Sequence, residues 1–403
     1  MVVDFNSYFA SVEQQEQPAL RGLPIAVVPM LADTTCAIAA SYEAKRFGVK
    51  TGTLVREAKR MCPGLIIIEA RHDLYVRYHH ALIAAVDSVM HVEKVLSIDE
   101  MLCPLTGRWR EKEEAVALAH QIKKAITTRV GECLRCSIGI APNPFLAKTA
   151  SDMQKPDGLV VIEKHELPHI LHGLKLRDLC GIGEGMEERL HAARIFTMEE
   201  LCAAPKLVLH GVWGGVQGSR FYEELRGNVV PRLETRHCNV GHSHVLAPAE
   251  RTHASALAVL HRMLQKAALR LRHMGYLAGA LSVSLKHMNR TRWRDELQFT
   301  ETDDTLDFTH ALRALWNRRP ATDATPLAAG VNLFRLVERT QATPSLFTEG
   351  KSRTRLNRAM DALNERFGKR SAYFAGAHGA LKSAPMRIAF THVPDLRTES
   401  DDA

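Results

Sequence analysis

The 403-residue sequence predicts a multidomain α+β protein, and three changes of pattern along the chain carry that prediction. Residues 1–163 alternate short apolar strands with helices. Residues 164–228 read as helical throughout, in short pieces. Residues 240–340 run strand, helix, strand, strand, helix, strand, the split βαββαβ arrangement of a ferredoxin-like sheet. At roughly 150 residues per domain, the length suits two to four domains.

The elements follow in order. Val2 and Val3 open a strand that meets Asp4 almost at once, so the strand is expected to begin upstream of Met1. A second strand, 25–28, follows Gly22 and Pro24. Residues 37–46 read as a strand entering a helix that stops at Phe47-Gly48. A helical pattern from Val55 ends at Cys62-Pro63-Gly64, and 65–69 is a buried strand by its continuous apolar character. Helices cover 74–91 and 112–130, with strands at 94–102 and 135–141. A helix over 145–153 precedes Lys155-Pro-Asp-Gly158 and a strand over 159–162. In the helical region, Thr197-Met-Glu-Glu200 has the pattern of a capping box. Beyond it come a strand at 241–246, a helix at 254–275, strands at 277–288 and 293–302 joined by a polar turn, a helix at 306–318 and a strand at 328–336. A polar stretch, a helix at 356–367 and an acidic end, Glu399-Ser-Asp-Asp-Ala403, complete the chain.

Composition narrows the function classes. Hydrophobic residues make up 46% and charged residues 24%, which suits a soluble folded protein and excludes collagen-like, coiled-coil and disordered chains. No apolar run approaches the ~18 to 20 residues that would span a bilayer, and no secretory signal opens the sequence. A cytoplasmic monomer with no membrane contact is expected. Lys and Arg total 53 against 45 for Asp and Glu, a net charge of +8 that favours a polyanionic partner, nucleic acid first. The eight cysteines are scattered, and the one C-x-x-C, Cys133 to Cys136, lacks the second pair a zinc site needs. They are expected to be reduced and structural. His165, His169 and His172 could share one face of a surface helix, and His79-His80 reads as a surface pair; neither group has a carboxylate or cysteine to complete a metal site.

Two acidic sites stand out. Asp4 ends the first strand, and Asp99-Glu100 follows Leu96-Ser-Ile98 at the end of another strand or in the turn after it. Ser97-Ile-Asp-Glu100 also fits a capping box, but the apolar strand-like residues before it argue against a helix. Three carboxylates converging from strand ends repel unless protonated or bound to cations. Hard oxygen ligands of this kind suit Mg²⁺, and two such ions would serve phosphoryl transfer. Taken singly, acids at strand ends are more often solvated or salt-bridged.

Context changes that weighting. Asp4-Phe-Asn-Ser-Tyr-Phe-Ala-Ser-Val-Glu13 resembles the opening motif of Y-family translesion DNA polymerases, the UmuC and DinB type. Further segments resemble the family in the same order: Ala40-Ser-Tyr-Glu-Ala-Lys-Arg-Phe-Gly-Val49, Leu96-Ser-Ile-Asp-Glu100, Cys136-Ser-Ile-Gly-Ile-Ala-Pro-Asn143 with Ala147-Lys148, Lys155-Pro-Asp-Gly158, and the Gly181-Ile-Gly183 turn of a helix-hairpin-helix. Each motif is weak alone; six in order are strong. The resemblance covers about residues 1–340 and implies a right-handed polymerase: a ferredoxin-like palm at 1–8 and 74–163, small fingers at 9–73, a helical thumb at 164–228, a linker at 229–239, a βαββαβ little finger at 240–340, and a tail at 341–403.

The resemblance also implies roles. Asp4, Asp99 and Glu100 match the family's catalytic carboxylates, which with the Phe5 carbonyl hold two Mg²⁺. Phe9 matches the steric gate that excludes a 2′-hydroxyl, although by itself it reads as a core aromatic. Tyr42, Lys45 and Lys155 match residues that hold the incoming dNTP, and the amides near Tyr8 and Phe9 would bind phosphates as helix N-termini do. For Lys45 and Lys155 the ordinary reading is a solvated surface lysine. Gly181 and Gly183 would approach the backbone of primer-template DNA. Lys286, Arg290, Arg292 and Arg294, at the tip of a predicted hairpin with no acid among them, would line a phosphate track; from charge alone a solvated tip is as good a reading.

The sequence departs from the family at four positions. Asn6 stands where many members have Asp, Lys45 where Arg is common, Pro144 where Lys is frequent and Cys103 where Asp is frequent. Gln341-Ala-Thr-Pro-Ser-Leu-Phe347 partly resembles the peptides by which bacterial polymerases dock on the sliding clamp, and Ala359-Met-Asp-Ala-Leu-Asn-Glu-Arg-Phe-Gly368 resembles a UmuC-type tail segment. The leading expectation is low-fidelity translesion synthesis by two-metal nucleotidyl transfer. The alternatives are a catalytically silent DNA- or clamp-binding adaptor, whose relatives lack the acids this chain keeps, and a nucleotidyl cyclase, which would need no DNA grip.

Overall fold

The computed structural model describes residues 1–231, 238–342, 350–368, 371–388 and 393–396. The chain divides into two compact units, the first built on Met1–Arg232 and the second on Leu233–Arg387.

In the first unit, β1 (Val2–Phe5) leads directly into α1 (Tyr8–Glu16). A small sheet of order β3-β2-β4 follows, formed by β2 (Ile25–Val28), β3 (Ala39–Ala40) and β4 (Ile66–Glu69), with α2 (Tyr42–Lys45) and α3 (Val55–Met61) between strands. The chain returns through α4 (His72–Asp87), which stops four residues short of the expected end. There the Asp87 carboxylate accepts the Val92 amide at 3.0 Å and turns the backbone out of the helix. Next come β5 (Lys94–Val95), β6 (Glu100–Leu102), α5 (Lys112–Arg129), β7 (Cys136–Ile140), α6 (Pro144–Met153) and β8 (Leu159–Val161). The main sheet has the order β5-β6-β1-β7-β8, so the first strand of the sequence lies at its centre. Val2, Val3 and Phe5 are buried there, on both faces of the strand, and so is Asp4 between them.

The helical region contains α7 (Glu184–Ala192), α8 (Met198–Ala203), α9 (Lys206–Trp213) and α10 (Val216–Leu225). The Thr197–Glu200 capping box is present at the start of α8. The three histidines expected on one helix lie instead on two separate single turns, because Pro168 interrupts the backbone between them. Among the described residues no three His, Cys, Asp or Glu side chains are already gathered round one point as metal ligands would be; Asp4 and Glu100 stand on either side of the Lys148 ammonium instead.

The second unit has the expected element order: β9 (Asn239–Val245), α11 (His253–His273), β10 (Tyr276–His287), β11 (Arg292–Thr302), α12 (Thr305–Arg318) and β12 (Pro326–Glu338). Its strands are ordered β11-β10-β12-β9, all antiparallel neighbours, so each helical crossover straddles one intervening strand. Leu281, Val283, Leu285, Val331 and Leu333 face α11 and α12 and form the core. The tail helix α13 (Gly350–Phe367) is pinned to this unit by a two-pronged Arg272–Asp361 ion pair, both contacts 2.7 Å, and by Asn357 donating to Asp304 at 3.0 Å. Of the clamp-like segment, residues 343–347 lie outside the described residues. No described helix is long and apolar enough to cross a membrane.

Candidate active site

Strand register brings the acids together. Asp4 on β1 is directly opposite Glu100 on β6 and Ser137 on β7, so the three side chains share one face of the sheet. The single strand expected over 94–102 is a hairpin, β5 to β6, and Asp99 occupies its turn. The turn is tight because the Leu96 and Ser97 amides both donate to the Glu100 carbonyl. It is tied to β1 by the Phe5 amide, which donates to the Asp99 carbonyl at 2.9 Å. The Asp99 carboxylate accepts the Ser97 hydroxyl at 2.5 Å. Burial pushes its pKa up to about 6; the Ser97 bond opposes this, and the negative charges of Asp4 and Glu100 add to it.

His79, expected on the surface, lies under this turn. It is 2% exposed, and its Nδ1 is 2.7 Å from the Ile98 carbonyl. Helix α4 rotates it inward, whereas the adjacent His80 remains exposed. Burial lowers the His79 pKa to about 4.

Two lysines enter the acidic face from below. Asn143 caps α6 by accepting the Leu146 amide at 2.8 Å, and Pro144 fits the first helical position, where no amide is needed. That local role accounts for proline at this position. Gly139 lets α6 lie against β7, since a Cβ there would sit 2.0 Å from the Ala147 carbonyl oxygen. Lys148 is thereby delivered to Asp4, with Glu100 at 2.9 Å and Asp152 at 3.0 Å. Lys155 bonds Asp4 and Asp152, each at 2.8 Å. Burial disfavours the charged form of both lysines, but the surrounding carboxylates outweigh it and hold both above the ordinary lysine value. The sequence reading assigned no role to Lys148 or Asp152; their i, i+4 spacing on one helix was the available signal.

Asn6 also has a local explanation. It is buried, its Nδ2 donates to the Ser137 hydroxyl at 3.1 Å, and its Oδ1 accepts the Asp157 amide at 2.8 Å. Its Oδ1 therefore anchors the Lys155-Pro-Asp-Gly158 loop, while its Nδ2 gives Ser137 a donor that aspartate lacks. Cys103 is fully buried, and burial pushes its thiol up to about 11. None of the eight cysteines, all among the described residues, is in a disulfide; Cys180 and Cys238 are exposed, not buried as structural cysteines would be.

Ser7, in the left-handed region with φ of 48°, turns β1 into α1. The Tyr8 side chain points inward and donates to the Tyr75 carbonyl at 2.6 Å, so only its backbone is available to a ligand. Phe9 is partly exposed and stacks on the Tyr75 ring at 4.5 Å. Tyr75 is itself fixed by donating to Glu13 at 2.7 Å, and fully buried Glu13 is paired with Arg71. Sequence reasoning missed this support.

The Lys45 ammonium lies over the Tyr42 ring, 4.4 Å from its centre. Burial raises the Tyr42 pKa and lowers that of Lys45; in both cases Lys155 is the next influence and Asp4 acts as well. Tyr42, Lys45 and Lys155 thus share one electrostatic neighbourhood with Asp4. Asp4, Asp99 and Glu100 supply hard oxygen donors suited to Mg²⁺, and a cation, the Lys148 ammonium, already bridges two of them.

Gly181, with φ of 90°, and Gly183 lead into α7, but a single 3₁₀ turn (Leu176–Asp178) stands where the first helix of a hairpin was expected. In the second unit, Lys286 pairs across from Arg292 and Ser284 from Arg294, with Arg290 in the turn between strands. Lys286, Arg292 and Arg294 occupy the sheet face away from the helices and are exposed, as is Arg290. Small polar residues continue this face: Ser282, Ser284, Gly330 and Asn332.

Comparison with known proteins assigns the family. Residues 3–152 match the impB/mucB/samB family, and residues 238–346 match that family's C-terminal domain. The chain belongs to the impB/mucB/samB family. It is 34% identical over 381 residues to the DNA polymerase IV of Moorella thermoacetica, covering 92% of this chain and 94% of that protein. It is 30% identical to the DNA polymerase IV 1 of Bacillus subtilis, covering 91% and 90%. Among solved structures, a Y-family DNA polymerase chimera of Dbh and Dpo4 segments has a TM-score of 0.70 at 23% identity, covering 84% of this chain and 98% of that one. An insertion ternary complex of Dbh DNA polymerase gives 0.56 at 24%, with the same coverage. The fold is that of the Y-family polymerases, and this family member is of the DinB/UmuC type.

Proposed function

We infer that the chain is a DNA-directed DNA polymerase of the Y family acting in translesion synthesis, with primer-template DNA and dNTPs as substrates and a divalent metal requirement. The observation that carries the reading is the register of β1 and β6, which sets Asp4 opposite Glu100 with Asp99 in the adjoining turn.

Asp4, Asp99, Glu100 and the Phe5 carbonyl are proposed to hold two Mg²⁺. Bound there, the ions would activate the primer 3′-hydroxyl and stabilise charge on the α-phosphate and leaving oxygen. The chain's own residues position the reactants. Tyr42, Lys45 and Lys155 would grip the triphosphate, with the amides at the start of α1 binding phosphate oxygens. Lys45 is a point charge where a planar fork is common, so it would contribute charge more than bidentate geometry. Phe9, braced from behind by Tyr75, would lie under the sugar and exclude a 2′-hydroxyl. Gly181 and Gly183 in the thumb, and Lys286, Arg290, Arg292 and Arg294 in the little finger, would contact DNA phosphates. The palm, fingers, thumb, linker and little-finger boundaries given above are proposed on the same basis. A segment ending in Leu346-Phe347 would bind the sliding clamp, and the enzyme would act as a monomer at low fidelity.

Primer extension with Mg²⁺ and dNTPs tests the reading. Wild type is expected to extend, Asp99→Ala to fail while still binding DNA, and Phe9→Ala to accept rNTPs. DNA binding without extension by the wild type would favour the adaptor.

A further inference from the structure

We propose that Lys148 is a placeholder cation in the carboxylate site and that Asp152 receives it when divalent metal arrives. The inference rests on reading Asp4, Asp99 and Glu100 as metal ligands.

The Lys148 side chain is 15% exposed and reaches three carboxylates: Asp4, Glu100 at 2.9 Å and Asp152 at 3.0 Å. Asp4 and Glu100 belong to the proposed metal site. Asp152 does not; it lies one turn further along α6 and is 32% exposed. A divalent ion shared by Asp4 and Glu100 would compete with the lysine ammonium for the same oxygens. Like charges at that separation repel strongly in a half-buried site. Lys148 must therefore give up Asp4 and Glu100, and an uncompensated buried ammonium is costly. Asp152 removes that cost. Its contact with Lys148 already exists and is internal to one helix, so rotation about side-chain bonds suffices and no backbone moves.

Lys155 makes the same choice from the other side, bonding Asp4 and Asp152 at 2.8 Å each. Asp152 is thus the shared partner of both lysines outside the proposed ligand set. Without metal, the lysines keep Asp4 and Glu100 compensated; with metal, Asp152 retains the lysines close to the site. The apparent metal affinity is lowered by the population in which Lys148 occupies the ligands, as for any competing state.

Binding of Mn²⁺ alone to the full chain, followed by the loss of the free-ion electron paramagnetic resonance signal, tests this without reference to activity. Lys148→Met is expected to bind Mn²⁺ about fivefold more tightly than wild type, and Asp152→Asn about fivefold more weakly, as removal or reinforcement of a competing state requires. The Asp152→Asn effect should shrink in the Lys148→Met background, whereas plain long-range charge effects would add. In the wild-type protein, Mn²⁺ should also increase acylation of Lys148 relative to remote lysines, read by mass spectrometry. That measurement decides the matter even if Lys148→Met fails to fold. Unchanged affinity in Lys148→Met, full additivity, or unchanged Lys148 labelling would overturn this inference and leave the metal-site reading intact. Absence of Mn²⁺ binding by the wild type would overturn both.

Discussion

The charged sites of the two units use charge in opposite ways. In the first, the carboxylates of Asp4 and Glu100 are sunk into a sheet and neutralised from within by Lys148 and Lys155. In the second, Lys286, Arg290, Arg292 and Arg294 stand exposed on a hairpin, and none of the described carboxylates pairs with them. The first arrangement depends on register and on a helix held close by Gly139. The second needs only that a strand alternate its side chains. Internally compensated charge is suited to chemistry at fixed positions, because low local polarity strengthens each interaction. Exposed charge of one sign is suited to holding a long polyanion, because each cation acts almost independently and is screened by salt.

The difference can be broken most severely at the first unit. Asp4→Asn should reduce single-nucleotide incorporation by on the order of 10³-fold or more, as loss of a charge-stabilising group in a preorganised site does, while circular dichroism shows a folded protein. Retention of near-normal incorporation would contradict the assigned role of the β1–β6 pair.

Next in size is the support behind Phe9. Glu13 is fully buried and satisfies both Arg71 and the Tyr75 hydroxyl. Its replacement by alanine strands the tyrosine hydroxyl and half-exposed Arg71, and should lower stability by about 2 kcal/mol in urea unfolding. An unchanged midpoint would mean that the cluster contributes no net stability.

The second unit should respond more gently. Arg292→Ala and Arg294→Ala are each expected to weaken primer-template binding severalfold, to about the same extent for any sequence. Each should reduce the slope of log affinity against log salt by about 1. A sequence-dependent loss would show that this face reads bases.

The last effect concerns pH and is absent at neutrality. His79 has its pKa lowered from 6.5 to about 4 by burial, so the unfolded chain takes up a proton that the folded one refuses. Its contribution to stability is therefore complete above pH 6.5 and is lost as pH falls from 6.5 towards about 4. Midway through that window the loss should be about 1.7 kcal/mol, measured as a lower thermal midpoint, and His79→Gln should flatten that part of the profile. An equally steep profile in the variant would assign the acid sensitivity to other groups.

Much of this organisation is legible in residue order. Apolar runs, periodicity and turn residues determine the sequence of strands and helices, including the βαββαβ order, because those signals are local. Asp4 and Asp99-Glu100 also stand out locally, as acids placed against apolar strands. What only the tertiary structure decided are the relations between distant residues. Strand pairing sets Asp4 opposite Glu100, and the close approach of α6 to β7 brings Lys148 between them. The hairpin at Asp99 read as one strand because Leu96 and Ile98, alternating with Ser97 and Asp99 in the turn, carry a strand-like period of two across it. His79 read as a surface residue because its polarity and its neighbour His80 outweighed its helical spacing from Tyr75, Leu82 and Val86, the face that α4 buries. Side-chain type records what a residue can do; packing against elements far away in sequence decides which partner it meets and how much water remains between them.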